Sequence, residues 1–303
     1  MGNKENINLE YVTNLSSGAT VAQSAKLYKN DDIIDYRTSK DLGYTDIVNL
    51  SLALNIISEF YDVCATVFVK NNTLTSVALG STTFDSFQKA VDGNPVDAIC
   101  GVVALTKTVD LDIIKLLTSQ HLVVASDFTD AAFAYMEDYN INYVKLNTPL
   151  KDYKKFLTDE YYKTPFGVIV QDKNKQELDK DSFKVVSKTK PTVEQVEDAI
   201  FAWKIIKHIK SSAVVVAKDF KTSGIAQGIQ TPAFEYALDN ACDNSKSAVL
   251  ASDVPLTVHD LNVAIQDRIA LIIQPGVTEE VLKQADKFKI TMITTGISNF
   301  SLV

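Results

Sequence analysis

Residues 185–228 read VVSKTKPTVEQVEDAIFAWKIIKHIKSSAVVVAKDFKTSGIAQG, and they hold the signals for a helix, a strand and a turn in close succession. Thr192 can cap a helix, and Pro191 stops any element that precedes it. Apolar residues then recur at helical spacing over positions 199–206. The following AVVVA is too short and too β-branched for a helix, so we predict a buried strand and then a turn that ends at Gly224. This succession is typical of an α/β layer.

The order of short motifs in this stretch resembles a known family. VVSK..PT, FAWK..KH.KS and AKD..T.GI..G follow one another as they do in AICAR transformylase, the formyl-transferring part of the bifunctional purine-biosynthesis enzyme. AVLASD at 248–253, IIQPG at 272–276 and the later Thr295-Gly296 continue the resemblance. Several ordered matches over more than a hundred residues are far more specific than one short motif.

The resemblance implies an α/β fold of two cytidine-deaminase-like lobes, each a mixed sheet sandwiched by helices. We place a first transformylase-like lobe at 1–149, a connector at 150–164 and a second lobe at 165–303. The connector alternates charges with aromatics, and FGVIVQ at 166–171 is predicted to be the strand that opens the second lobe. The resemblance also implies a homodimer with its sites near the interface. The stretch before Leu15 leaves no room for the family's N-terminal cyclohydrolase domain, so we expect that activity to be absent.

Composition narrows the classes of function. A net charge of −8 over 303 residues argues against a surface for nucleic acid or anionic membranes. Arg37 and Arg268 are the only arginines, which leaves little bidentate recognition of phosphate or carboxylate. The three cysteines and three histidines are scattered, which predicts free thiols and no metal site. No stretch of about eighteen apolar residues occurs, and we expect a cytoplasmic protein.

Residues 9–28, LEYVTNLSSGATVAQSAKLY, stand where the family carries the substrate-holding loop L-R-Y-G-E-N-P-H-Q-x-A-x-x-Y. Gln23 fits this frame, and by resemblance we assign it to substrate binding. Ser16 replaces the family's arginine and Ala22 its histidine, so a charge that would meet phosphate is missing. A polar surface loop without a binding role is an equally good interpretation.

The strand CATVFVK ends at Lys70, where the family has a catalytic Lys-His pair. By resemblance we assign Lys70 and Asn71 to catalysis, with Asn71 in the place of the histidine. The family's acceptor amine is weakly nucleophilic, and an imidazole is suited to take its proton. An asparagine amide can orient a group, but it cannot accept a proton at neutral pH. The pair is therefore incomplete for general base catalysis.

Other expected contacts are also substituted. Ser212 stands at the asparagine of the family's K-S-N-A motif, and we assign it to catalysis by resemblance. Cys100 occupies a family glycine, where its side chain should crowd the approach of a ligand. The positions after the family's A-S-D segment have lost the aromatics that would line a folate pocket. By resemblance we assign further substrate-binding positions to Asp97, Gln230, Asp253 and Ser298, the last in place of an arginine.

Two functions remain open. The first is an AICAR transformylase-like enzyme, which would use 10-formyltetrahydrofolate as formyl donor and whose degraded site should make ordinary activity poor. The second is a pseudoenzyme on the same scaffold that senses a ligand or pairs with a catalytic chain. The losses fall on residues that would touch substrate, whereas glycines and apolar positions of the fold persist. This distribution favours the pseudoenzyme over an active transformylase.

Overall fold

One large sheet runs through the molecule. The structure is a computed structural model that describes residues 7–20, 22–178 and 183–302. Within those residues, twelve strands form the large sheet, and helices cover both of its faces. The predicted α/β class, with a mixed sheet flanked by helices, is confirmed. No helix of the described residues has both the length and the hydropathy of a membrane span.

The N-terminal half begins with a small hairpin and then alternates strands with helices. In chain order its elements are β1 (Glu10–Asn14), β2 (Lys26–Lys29), β3 (Tyr36–Thr38), α1 (Tyr44–Ile57), β4 (Cys64–Lys70), β5 (Thr73–Gly80), α2 (Thr83–Gly93), β6 (Gly101–Leu105), α3 (Leu111–Ile114), β7 (His121–Ala125), α4 (Asp130–Asp138) and β8 (Asn142–Leu146). β1 pairs only with β2, outside the large sheet. Side-chain hydroxyls cap α2 and α4, from Thr82 and Thr129.

The C-terminal half repeats this alternation after an exposed hairpin. Its elements are β9 (Asp159–Thr164), β10 (Gly167–Asp172), β11 (Lys184–Val185), α5 (Val193–Ile206), β12 (Ala213–Lys218), β13 (Lys221–Gln227), α6 (Gln230–Ala241), β14 (Val249–Ser252), α7 (Val258–Gln266), β15 (Leu271–Gln274), α8 (Glu279–Phe288) and β16 (Thr291–Thr294). Short 3-10 helices occupy Ser58–Phe60, Leu150–Phe156 and Cys242–Ser245.

One expectation about the middle of the chain is corrected, and it concerns the strand at 166–171. The predicted connector at 150–164 contains a 3-10 helix and the strand β9, which pairs antiparallel with β10. The strand predicted at 166–171 exists as β10, but it pairs only with β9 and does not enter the large sheet. Its side chains stay exposed instead of joining the core.

The stretch 185–228 folds largely as predicted. Thr192 Oγ1 accepts a hydrogen bond from the Gln195 N–H at 3.2 Å and caps α5, and the apolar strand after it is β12. Gly224, however, lies inside β13 and does not end the turn. A Cβ at this position would collide with the backbone oxygen of Ala237, so a glycine lets α6 pack directly on the strand.

The two halves share one strand order. From the centre outwards, the N-terminal half runs β5-β4-β6-β7-β8 and the C-terminal half runs β13-β12-β14-β15-β16. Along each of these five-strand orders, the first two pairings from the centre are antiparallel and the next two are parallel. The halves meet where β5 and β13 pair antiparallel, and Thr222 Oγ1 there accepts from the Val77 N–H at 2.9 Å. One continuous sheet therefore stands where one sheet per lobe was predicted.

The core has a shared face and a divided face. On the shared face, α1 packs on β4, β5 and β6 and α5 packs on β12, β14 and β15, and buried residues of both halves form one continuous cluster. On the other face, the helices of each half bury a cluster of their own. The shared cluster holds the halves together by burial of apolar surface, in addition to the single junction of strands.

Candidate functional site

The strand directions bring the predicted site residues of both halves to one edge of the sheet. β4 and β12 run in opposite directions, because three antiparallel pairings separate them. The end of β4 at Lys70 therefore shares an edge with the start of β12, next to Ser212, and with the end of β14, next to Asp253. The strands β5 and β13 lie between the two groups, a spacing of about 14 Å at the usual distance between strands. No hydrogen bond or ion pair of the described residues joins the groups directly.

Lys70 and Asp97 form the centre of the first group. Lys70 Nζ lies 3.2 Å from Asp97 Oδ1, and Asn94 Nδ2 donates to Asp97 Oδ2 at 3.2 Å. The hydrogen bond to Asp97, with a further contribution from Cys100, raises the pKa of Lys70 above its ordinary value. The lysine is therefore an ammonium at neutral pH. It can orient or attract an anionic group, but it cannot take a proton.

Asn71 lies in a tight turn beside this pair. Asn71 and Asn72 have φ of 52° and 56°, in the left-handed region that asparagine tolerates better than most residues. The Asn72 N–H donates to Asn49 Oδ1 at 2.7 Å, and Asn49 is a buried residue of α1. The turn that contains Asn71 is thus anchored to the helix α1.

The second group is centred on the buried Asp253, which is 2% exposed. Ser211 Oγ donates to Asp253 Oδ2, and the Ala213 N–H donates to Oδ1 at 2.8 Å. Burial raises the pKa of the Asp253 carboxyl, and the hydrogen bonds from Ser211 and Ala213 oppose the shift. Ser211 Oγ also accepts from the Ser301 N–H at 2.8 Å. This group connects the start of β12 to the C-terminal segment, residues 295–302, which follows the last strand.

The serine that contacts Asp253 is not the one assigned from the sequence. Ser212 makes backbone hydrogen bonds to Gly228, with its N–H donating at 2.6 Å. Ser211 makes the side-chain contacts instead. The family motif assigns the role to position 212. The only sequence signal for position 211 is that it is also a serine, in K-S-S-A.

Three other predicted site residues make hydrogen bonds within their own parts of the fold. Gln23 Oε1 accepts from the Thr20 N–H at 3.1 Å within the exposed N-terminal loop. Gln230 Nε2 donates to Asp260 Oδ2 at 3.0 Å and so links α6 with the start of α7. Ser298 Oγ accepts from the Phe300 N–H at 3.4 Å in the C-terminal segment. The structure does not bring Gln23 or Gln230 into hydrogen-bonding contact with Lys70 or Asp253.

A cavity of about 590 Å³ lies between the hairpin β9–β10, the end of α5 and the C-terminal segment. Asn299 borders it, is 2% exposed, and has no hydrogen-bond partner for either side-chain amide atom among the described residues. The cavity's two lysines are both paired: Lys207 with Glu59 at 2.7 Å, and Lys173 with Glu160 at 3.5 Å. The described residues of this wall therefore offer no free cation for a phosphate.

The three histidines have other partners than Lys70. His121 is buried, its Nδ1 accepts from the Thr118 N–H at 3.0 Å, and its Nε2 donates to the Ala98 carbonyl at 3.0 Å. His208 is bound to Glu59, and His259 lies 3.3 Å from Glu235 on the surface. Over the described ranges, no group of three or more histidine, cysteine or acidic side chains could hold a metal ion.

Comparisons with known proteins give a consistent result. The profile of the AICARFT/IMPCHase bienzyme family matches residues 2–233. The chain is 33% identical to the bifunctional purine biosynthesis protein PurH of Thermoanaerobacter sp. (strain X514), covering 96% of this chain and 59% of the relative. For PurH of Caldicellulosiruptor saccharolyticus the identity is 34%, with 96% and 60% covered. For PurH of Aquifex aeolicus it is 30%, with 99% and 61% covered. The chain thus spans about 60% of the length of these relatives.

Among solved structures, a match to Acinetobacter baumannii RibD, form 2, has a TM-score of 0.24 and 14% identity over 33% of this chain and 34% of that one. A superposition this poor carries no argument about the fold.

Proposed function

This chain belongs to the AICARFT/IMPCHase bienzyme family, and from that premise we propose that it is an AICAR transformylase-like protein in which ordinary formyl transfer is lost or strongly reduced. The reference reaction is the transfer of a formyl group from 10-formyltetrahydrofolate to AICAR in de novo purine biosynthesis. The chain spans about 60% of the length of these bifunctional relatives, and the proposal concerns the transformylase reaction alone.

The Lys70 group is the observation that carries this proposal. Asn71 follows Lys70 where the family has a histidine, and the hydrogen bond to Asp97 keeps Lys70 protonated. Both ring nitrogens of the buried His121 are used in local hydrogen bonds, so it is not available as a substitute base. The loss of one general base alone lowers a rate by roughly 100- to 10,000-fold.

The donor side gives further support. A pterin ring would need aromatic or flat apolar surface, and residues 254–258 read VPLTV. Leu256 in this segment is buried in the core of the C-terminal half, and its N–H donates to Gln274 Oε1 at 2.8 Å. These residues do not fit the stacking side of a pocket for 10-formyltetrahydrofolate.

In our proposal the scaffold binds a small ligand without efficient turnover, as a sensor or as the partner of a catalytic chain. A residual enzyme is the second candidate, and one observation favours it. The raised pKa of the buried Asp253 carboxyl, beside Ser211, supplies a proton-exchanging group at the same edge of the sheet as Lys70. A rebuilt site would use Lys70 and Asn71 to orient the ligand, and Asp253 with Ser211, next to the Ser212 assigned from the sequence, to exchange a proton.

The proposal includes the finer architecture and the assembly. We propose two cytidine-deaminase-like lobes with the boundaries 1–149, 150–164 and 165–303, supported by the shared strand order on either side of the β5–β13 junction.

We also propose a cytoplasmic homodimer. Exposed apolar side chains near the sheet edge that holds Lys70 and Asp253, which we call the functional edge, support the dimer. They lie on the loop before β6, at the start of α6 and near the C-terminus: Val96, Ile99, Ile229, Phe300 and Leu302.

Calorimetric titration with AICAR and a formyl-transfer assay test the function. We expect weak AICAR binding that Lys70→Ala abolishes, and turnover at least about 100-fold below a bifunctional PurH relative assayed in parallel. Asn71→His is the informative variant, because it restores the missing imidazole at a left-handed position that histidine tolerates. Turnover equal to the relative's in the unmodified chain would refute the proposal. A lack of AICAR binding at millimolar concentration would restrict the scaffold to another ligand or partner.

A further inference from the structure

A second cavity, of about 260 Å³, lies in the N-terminal half between α1, the segment that joins β2 to β3, and the 3-10 helix at Leu150–Phe156. It is separate from the Lys70 group. Leu50 and Leu54 of α1 line it, but neither Asn49, which anchors the Asn72 turn, nor Lys70, Asn71 or Asp97 is among its lining residues. A ligand in this cavity would therefore not touch the predicted site residues.

The interior of the cavity is apolar. Leu42, Leu50 and Leu54 are buried in its floor, and Val144 of β8 and Leu157 extend the same surface. An apolar cavity of about 150 Å³ is large enough for benzene, so 260 Å³ accommodates a body of one or two rings. A ligand that displaces water from this surface gains free energy from burial of apolar area.

The rim gives the cavity its charge preference. Among the described lining residues, only Asp31 and Asp32 are charged, and both are exposed. Neither carboxylate has a lysine, arginine or histidine nitrogen within 4.0 Å in the part of the chain that the structure describes. Two unpaired negative charges at the mouth of an apolar cavity attract a cation and repel nucleotides and folates, which are anions.

We propose that this cavity is a binding site for a small amphipathic cation, with one or two apolar rings in the cavity and an ammonium group at Asp31 and Asp32. The site does not depend on the proposed function, because it shares no ligand chemistry with it. Tryptamine is a suitable probe, since its indole matches the volume and its ammonium reaches beyond the ring. Indole-3-propionate carries the same ring and the opposite charge.

Ligand-observed NMR titration of the full chain compares the two probes. A tryptamine Kd of about 1 mM is expected for a ligand of this size, with the anion at least about fivefold weaker. The double variant Asp31→Asn/Asp32→Asn should weaken tryptamine about three- to tenfold. The double variant Glu279→Gln/Glu280→Gln makes the same change in net charge at the exposed start of α8, and it should leave the Kd within about twofold.

A blocking variant tests the position of the probe. Ser51 lines the cavity and is exposed, so Ser51→Phe can fill the mouth without disturbing the core, and it should abolish tryptamine binding with the melting temperature unchanged. Equal affinity for cation and anion, equal losses in the two double variants, or undiminished binding to Ser51→Phe would each overturn the proposal. The absence of tryptamine binding at 10 mM, about ten times the expected Kd, would do the same.

Discussion

Glu59 and His208 occupy the same position in the two halves of the chain, 149 residues apart, and they meet where the halves join: His208 Nε2 donates to Glu59 Oε1 at 3.1 Å. Lys207 and Lys154 also bind this carboxylate, at 2.7 and 3.0 Å. Burial opposes ionisation of Glu59, but the hydrogen bonds from His208 and Lys207 outweigh it and hold the pKa of the carboxyl well below its usual range. The contact therefore joins the two halves through a buried charge with several partners.

Glu59→Gln should destabilise the protein by about 3 kcal/mol, because it removes the buried anion that neutralises the largely buried Lys207 and fixes His208. Urea unfolding measures the difference. Glu279→Gln removes a carboxylate from an exposed pair with Lys283, and it should change the free energy of unfolding by less than about 0.5 kcal/mol. Equal effects of the two substitutions would show that the Glu59 cluster contributes no more than a surface ion pair.

Stability should fall as the pH drops from 7 towards 5. Burial lowers the pKa of His208 below its ordinary 6.5, with the hydrogen bond to Glu59 opposing the shift, so the unfolded chain takes up the proton first. This contribution is complete above the unfolded pKa and is lost as the pH falls towards the folded one. His208→Gln keeps a donor for Glu59 without titrating, and its loss of stability over this interval should be smaller in parallel urea titrations.

A second loss should follow at lower pH. The pKa of Glu59 is lowered on folding, so its contribution is present above the ordinary value of 4.5 and declines as the pH falls below it. A stability that stayed constant between pH 7 and 4 would contradict both assignments.

Gly224→Ala should cost about 2 to 3 kcal/mol, since the added methyl group collides with the Ala237 backbone and must push α6 away from β13. Gly276→Ala is the matched control. Apart from its chain neighbours, no heavy atom of the described residues lies within 4 Å of its added Cβ, and the substitution should be neutral or slightly stabilising. Melting temperatures of the two variants test the close approach of α6, which a neutral Gly224→Ala would disprove.

Ser211→Ala should be more harmful than Ser212→Ala, although the sequence assigned the site to Ser212. Removing the Ser211 hydroxyl leaves the buried Asp253 carboxylate with one partner fewer and the Ser301 N–H without this acceptor, at a cost of about 1 to 3 kcal/mol. Ser212 is held by its backbone, and its truncation should cost below about 0.5 kcal/mol. The reverse order, measured by denaturant unfolding, would return the site to Ser212.

The homodimer should depend on the apolar residues at the functional edge. Ile229→Asp at the start of α6, 80% exposed in the single chain, should shift the protein towards the monomer in light scattering after size exclusion, because it would place a charge in the interface of the proposed dimer. Tyr139→Asp, at an exposed apolar position after α4, is the control and should leave the mass unchanged. A monomeric unmodified chain would exclude the dimer outright.

The sequence by itself determined the elements whose signals lie within a few residues of one another. Thr192 and the apolar spacing after it specify α5, the β-branched run specifies β12, and the order of motifs identifies the family. Lys70 and Asp97, both assigned from the sequence, do meet. These features are local, or are carried by motif order, so no knowledge of distant contacts is needed.

Only the tertiary structure decided the contacts between distant segments. The pairing of β5 with β13 turns two expected sheets into one, and it brings Asp253 to the edge that Lys70 occupies. The same packing selects Ser211 over Ser212, leaves β10 outside the large sheet, and sets Glu59 against His208. Such contacts depend on strand register and on burial shared between segments up to 149 residues apart, which local propensity does not encode.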